Sequence, residues 1–71
     1  MKKNILIEGM SCGHCVKHVE KALGEVHGVN SVRVDLIKKS VIIQANDSVT
    51  DSELKNAVEE AGYDVVEINN L

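Results

Sequence analysis

This chain of 71 residues has no proline, no phenylalanine and no tryptophan, and Tyr63 is its one aromatic residue. Any core must therefore be aliphatic, built from Val, Ile, Leu and Ala. Such a core offers no deep aromatic-lined pocket for an organic substrate, which counts against an enzyme acting on small molecules. No aromatic platform exists for stacking bases. Basic residues pair only at Lys2-Lys3 and Lys38-Lys39, and the net charge is -3, so a nucleic-acid binder is excluded. Long apolar runs are absent too. Glu8 cuts off Ile5, Leu6 and Ile7, well short of the roughly 7–15 apolar residues of a secretion signal. No stretch reaches the ~20 apolar residues of a membrane span. The expected compartment is the cytoplasm, where thiols stay reduced. A chain this long is expected to make one domain over residues 1–71. At this size only about 60% of the unfolded chain's surface is buried, so the core is marginal.

What the chain does have is one close pair of cysteines, Cys12 and Cys15, inside the stretch GMSCGHC at residues 9–15. The elements around it can be read from periodicity. Asn4 to Glu8 alternates and predicts a strand, ended by Gly9. Val16, Val19, Ala22, Leu23 and Val26 recur at helical spacing and predict a helix from Gly13 to Glu25. Ser11 is its expected N-cap, which puts Cys12 in the first turn. Val32, Val34 and Leu36 alternate with polar residues as a second strand. Lys38-Lys39 marks a hairpin tip, and Val41 to Ala45 a third strand. Thr50 and Glu53 stand at capping-box spacing before a helix carrying Leu54, Ala57, Val58 and Ala61. Gly62 ends it, and Glu59 and Glu60 read as its wet face. Tyr63 to Ile68 is the last strand, with Asn69, Asn70 and Leu71 frayed.

The order strand, helix, strand, strand, helix, strand predicts an α+β, ferredoxin-like βαββαβ sandwich. Two helices then cover one face of a four-stranded antiparallel sheet. Each element runs opposite to its predecessor, so Cys12, Cys15, Lys38, Lys39 and Tyr63 should share one end of the molecule. The loops near Gly28 and Asp47 should lie at the other.

The cysteine spacing admits two chemistries, metal capture and dithiol–disulfide exchange. Thiolates are soft ligands. Two of them cannot close a four-coordinate structural zinc site, and an iron–sulfur cluster needs about four cysteines. Ligand count thus points to copper(I), or a similar soft ion, held on an exposed loop by Cys12 and Cys15. A helix N-terminus favours the thiolate form. CGHC is also the tetrapeptide of thioredoxin-like oxidoreductases. Their motif follows an aromatic residue and faces a cis-proline, whereas here Ser11 precedes it and no proline exists.

GMSCGHC followed by VKHVEKAL resembles the heavy-metal-associated domain, with its GMxCxxC loop and amphipathic helix. The resemblance runs from about Lys3 to Ile68, and AGYDV at residues 61–65 is similar to the family's bacterial copper chaperones. It implies a non-enzymatic copper(I) chaperone with Cys12 and Cys15 as metal ligands. Met10 would then support the loop from the core without binding metal, and Tyr63 would pack near the loop. The implied partner is the metal-binding domain of a copper-transporting P-type ATPase, or in some bacteria a copper-responsive repressor. A monomer is expected without metal, with a copper-bridged dimer plausible through the exposed loops. His14 is expected to face solvent, with a weak third-ligand role left open. His18 reads as a surface residue, and His27 lies at the far end. Lys38 and Lys39 read as a solvated tip, with docking secondary. The chain begins with Met and ends just after the last strand, which reads as a whole protein. Three alternatives stay open: a metal-binding domain belonging to a P-type ATPase, a small dithiol oxidoreductase, and handling of zinc, cadmium or mercury. A periplasmic mercury binder would need an export signal before the domain.

Overall fold

The computed structural model describes residues 1–10 and 13–71. The elements are β1 (Lys2–Glu8), α1 (Gly13–Gly24), β2 (Val29–Asp35), β3 (Ser40–Ala45), α2 (Asp51–Glu60) and β4 (Asp64–Asn70). All strand pairs are antiparallel, in the order β2-β3-β1-β4. This is the ferredoxin-like arrangement expected from the element order. Every inward residue of the two central strands is buried: Lys3, Ile5 and Ile7 on β1, and Val41, Ile43 and Ala45 on β3. Against them pack Val19 and Leu23 of α1 and Leu54 and Val58 of α2. Lys3 sits at the core's margin, and its ammonium meets the carboxylate of Asp51, the exposed first residue of α2. The stem is covered and the head meets that more exposed carboxylate.

Both outer strands carry a register shift. Asn30 is the extra residue between Val29 and Ser31 of β2, and Val66 is the extra residue of β4 opposite Leu6 and Ile7. These bulges explain why inward apolar residues fall three apart at Val29 and Val32 and at Val65 and Ile68.

Several boundaries differ from the sequence expectation; α1 ends at Gly24 rather than Glu25, and β3 begins at Ser40 rather than Val41. β1 begins at Lys2 rather than Asn4. Leu36 lies outside β2 in the turn, because the Asp35 carboxylate accepts a hydrogen bond from the Lys38 backbone at 3.1 Å. Lys39 then adopts φ 53° and the chain reverses. Tyr63 precedes β4 instead of opening it. Asn69 and Asn70, expected to fray, pair with Asn4 and Lys3, and the Leu71 N–H donates to the Lys2 carbonyl at 2.9 Å. Backbone pairing needs no apolar side chain, so hydropathy carries no sign of it. The Ser11 cap lies outside the described residues.

The capping box of α2 is formed as expected. The Glu53 N–H donates to Thr50 Oγ1 at 3.2 Å, and the Thr50 N–H donates to Glu53 Oε1 at 3.4 Å. At the other end, the Gly62 N–H donates to the Glu59 carbonyl at 3.0 Å and the Tyr63 N–H to the Val58 carbonyl at 3.2 Å. That is a Schellman motif, with Gly62 at φ 97° as its left-handed residue. The motif turns Tyr63 back onto the core.

Gly28 shares the positive φ, at 99°, but a Cβ there would lie 2.7 Å from the Cγ2 of buried Val49. At Gly62 a Cβ would meet nothing within 4 Å. Gly62→Ala should therefore cost about 1–2 kcal/mol from backbone strain alone. Gly28→Ala adds overpacking and should cost about 2–4 kcal/mol. Urea unfolding of the two variants against the parent checks the ranking.

Candidate metal centre

The cysteine loop leaves β1 through Gly9, whose φ of 92° is open to glycine and strained for other residues. The next residue, Met10, is 1% exposed and belongs to the core cluster. Its thioether is thus spent on packing, as expected for a residue that supports the loop from inside. Cys12 and Ser11 lie outside the described residues. Cys15 is the third residue of α1, half-buried and packed against the core cluster beneath the loop. His14, beside it, is exposed.

The electrostatics at this helix end favour an anion. The first turn of α1 has no acidic residue, while the first turn of α2 has Asp51 and Glu53. A helix N-terminus presents unbonded N–H groups and roughly half a positive charge. At α2 carboxylates answer that field; the first turn of α1 has none, and Cys15 is its third residue.

Other expected neighbours converge on the same end. A Cβ on Gly9 would lie 3.6 Å from Tyr63 Cδ1, so the phenol ring stands beside the start of the loop. The Ile7 N–H donates to the Lys39 carbonyl at 2.9 Å, which ties the hairpin tip to the end of β1. Lys38 and Lys39 are exposed there. At the opposite end, the Asn46 N–H donates to the Gly28 carbonyl at 2.8 Å. His27 is exposed and apart from the loop.

One neighbour was not read from the sequence. The Tyr63 hydroxyl lies 3.5 Å from His18 Nδ1. His18 is exposed, as expected of a surface residue. The signal was present, because His18 follows Cys15 by one helical turn and the topology puts Tyr63 at that end. Among the described residues, no three His, Cys, Asp or Glu side chains converge on a common point. An open groove of about 500 Å³ runs between α1 and α2, past Ala22, Glu25, Glu53 and Ala57, and does not reach Cys15.

The family model for the heavy-metal-associated domain matches residues 4–64. The chain belongs to this family. Within the heavy-metal-associated family it is 50% identical over 68 residues to the copper chaperone CopZ of Staphylococcus aureus (strain bovine RF122 / ET3-1). That match spans 93% of this chain and 100% of the relative. The fold superposes on a solved CopZ metallochaperone with a TM-score of 0.89 and 46% identity, over 93% of this chain and 100% of the other. A copper binding domain from HMA7, a P-type ATPase, is 30% identical with a TM-score of 0.89, over 99% of this chain and 96% of that domain. No described helix is long and apolar enough to cross a membrane.

Burial of Met10 makes its role testable by volume. Met10→Leu conserves volume and should stay within about 1.5 kcal/mol of the parent. Met10→Ala opens a cavity beneath the loop and should cost about 2–5 kcal/mol. Thermal unfolding followed by circular dichroism separates the two.

Proposed function

We propose that this protein is a cytoplasmic copper(I) chaperone, folded as one heavy-metal-associated domain over residues 1–71, with Cys12 and Cys15 as the two ligands of one monovalent copper. The observation that carries this reading is the 50% identity to a copper chaperone across 100% of that relative's length. The position of Cys15 in the first turn of α1, which has no acidic residue, supplies the physical support.

Two thiolates on one monovalent cation leave a net negative charge, which the N–H groups of α1 and the nearby lysines offset. Copper(I) is cargo, so it must be held tightly and released quickly. A closed shell would give the first and prevent the second. On an exposed loop, a thiolate from a partner's own cysteine pair can form a new copper–sulfur bond. A three-coordinate bridged intermediate follows, and then one copper–sulfur bond to this chain breaks. Repeating the step moves the ion across. Copper stays monovalent throughout, so no electron acceptor is needed. Cys12 is the thiolate that engages the partner first. The partner is the metal-binding domain of a copper-transporting P-type ATPase, or a copper-responsive repressor. Without metal the protein is a monomer, and a copper ion shared between two loops would bridge a dimer. Docking and exchange need no chemistry on a bound substrate, in keeping with a carrier rather than an enzyme.

A second reading is favoured by one comparison. The likeness to a copper binding domain of a P-type ATPase extends over 99% of this chain. A genomic reading frame that continues past Leu71 into transmembrane segments would establish that reading over a stand-alone chaperone.

Anaerobic titration of the reduced protein with copper(I) against a competing chelator tests the ligand assignment. One copper per chain is expected, with zinc displaced. Changes to groups that only orient a ligand cost about 10–100-fold in affinity, so Cys12→Ser or Cys15→Ser should lose more than about 100-fold. Variants that hold copper(I) as tightly as the parent would move the site elsewhere.

A further inference from the structure

α1 carries two histidines four residues apart, His14 and His18, both exposed. Residues at this spacing are neighbours on one helical face, about 5–6 Å apart at Cβ. Two imidazoles so placed form a chelating pair, the geometry by which helical His-x-x-x-His segments hold zinc. Neither side chain contributes to the core. Cys15, between them in sequence, is half-buried against the core cluster, whereas both histidines are exposed.

The His18 ring is also held. The Tyr63 hydroxyl stands 3.5 Å from its Nδ1, which leaves Nε2 as the ring nitrogen for a metal. A partner on one ring nitrogen that fixes the other for coordination is the usual support of a metal-binding histidine. Tyr63 is in turn placed by the Schellman turn at Gly62. Packing explains the ring of Tyr63 but not the meeting of its hydroxyl with an exposed histidine.

We propose that His14 and His18 form a second metal site, a two-imidazole chelate for a divalent late first-row ion such as zinc, on the solvent face of α1, with imidazoles rather than the cysteine thiolates as its ligands. Imidazole suits these borderline ions, as thiolate suits copper(I). Among the described residues no third His, Cys, Asp or Glu joins the pair, so the two imidazoles are the protein ligands the proposal rests on. Lys17 and Lys21 are also exposed on α1, so the dication is held by its ligand bonds against the local charge. The affinity is accordingly that of an exchanging surface site.

The test uses the full chain with Cys12→Ser and Cys15→Ser, which removes thiolate binding of zinc. Its result is therefore independent of the copper reading. Zinc is titrated while the three histidine ring signals are followed by NMR. One zinc per chain should shift His14 and His18 together and leave His27, at the far end, unmoved. Adding His14→Ala or His18→Ala should weaken binding at least ~10-fold, and Tyr63→Phe should weaken it less than either. All three histidines responding in parallel, only one of the pair responding, or unchanged affinity in either alanine variant would overturn the site. A Tyr63→Phe variant that binds as the parent does would remove the tyrosine from it.

Discussion

Ile5, Ile7 and Met10 form one inward row that runs from the central strand into the cysteine loop, and each is at most 2% exposed. Burying a side chain of this size contributes about 1.5–3 kcal/mol. In a chain without Phe or Trp, that row is a large part of the core. The same residues that hold the sheet to the helices therefore also fix where the loop begins. Gly9 makes the junction workable, because its left-handed backbone lets the chain turn out of β1 while Met10 turns back in. The loop is anchored on both sides, by Met10 before the cysteines and by Val16 and Val19 after them.

This arrangement separates the stable part of the molecule from the reactive part. The thioether and aliphatic groups go inward, and the first turn of α1 has no carboxylate. α2 shows what an ordinary helix start looks like in the same protein: Thr50 caps it, Asp51 and Glu53 answer its field, and Lys3 pairs with Asp51. The contrast between the two helix starts is the clearest electrostatic signature of the site. It stands in the sequence as the difference between SCGHC and TDSE.

Much of the fold could be read from the chain because its signals are local. Period-two and period-3.6 patterns gave the six elements, and capping chemistry at Thr50 and Gly62 gave the limits of α2. What escaped has a common physical origin. Bulges at Asn30 and Val66 depend on pairing between strands, which a single strand's pattern does not encode. The end of β2 was set by the Asp35 carboxylate and not by hydropathy, so Leu36 looked like a strand residue and is a turn residue. The last residues of β4 are polar and were read as frayed, although β1 holds them through backbone hydrogen bonds. At the site, burial of Met10 and the placement of Tyr63 matched the reading, while the approach of Tyr63 to His18 joins residues 45 apart and emerged only with the fold. Cys12 lies outside the described residues, and its part rests on sequence.

The pairing of Leu71 with Lys2 has a consequence for architecture. β1 starts, and β4 finishes, at the end of the sheet away from the cysteines, about 20 Å off by the length of a seven-residue strand. Polypeptide added at either terminus would emerge side by side from that remote edge. Such units could be strung in series on flexible connectors with every loop facing outward, so the topology suits beads on a string as well as a solitary carrier.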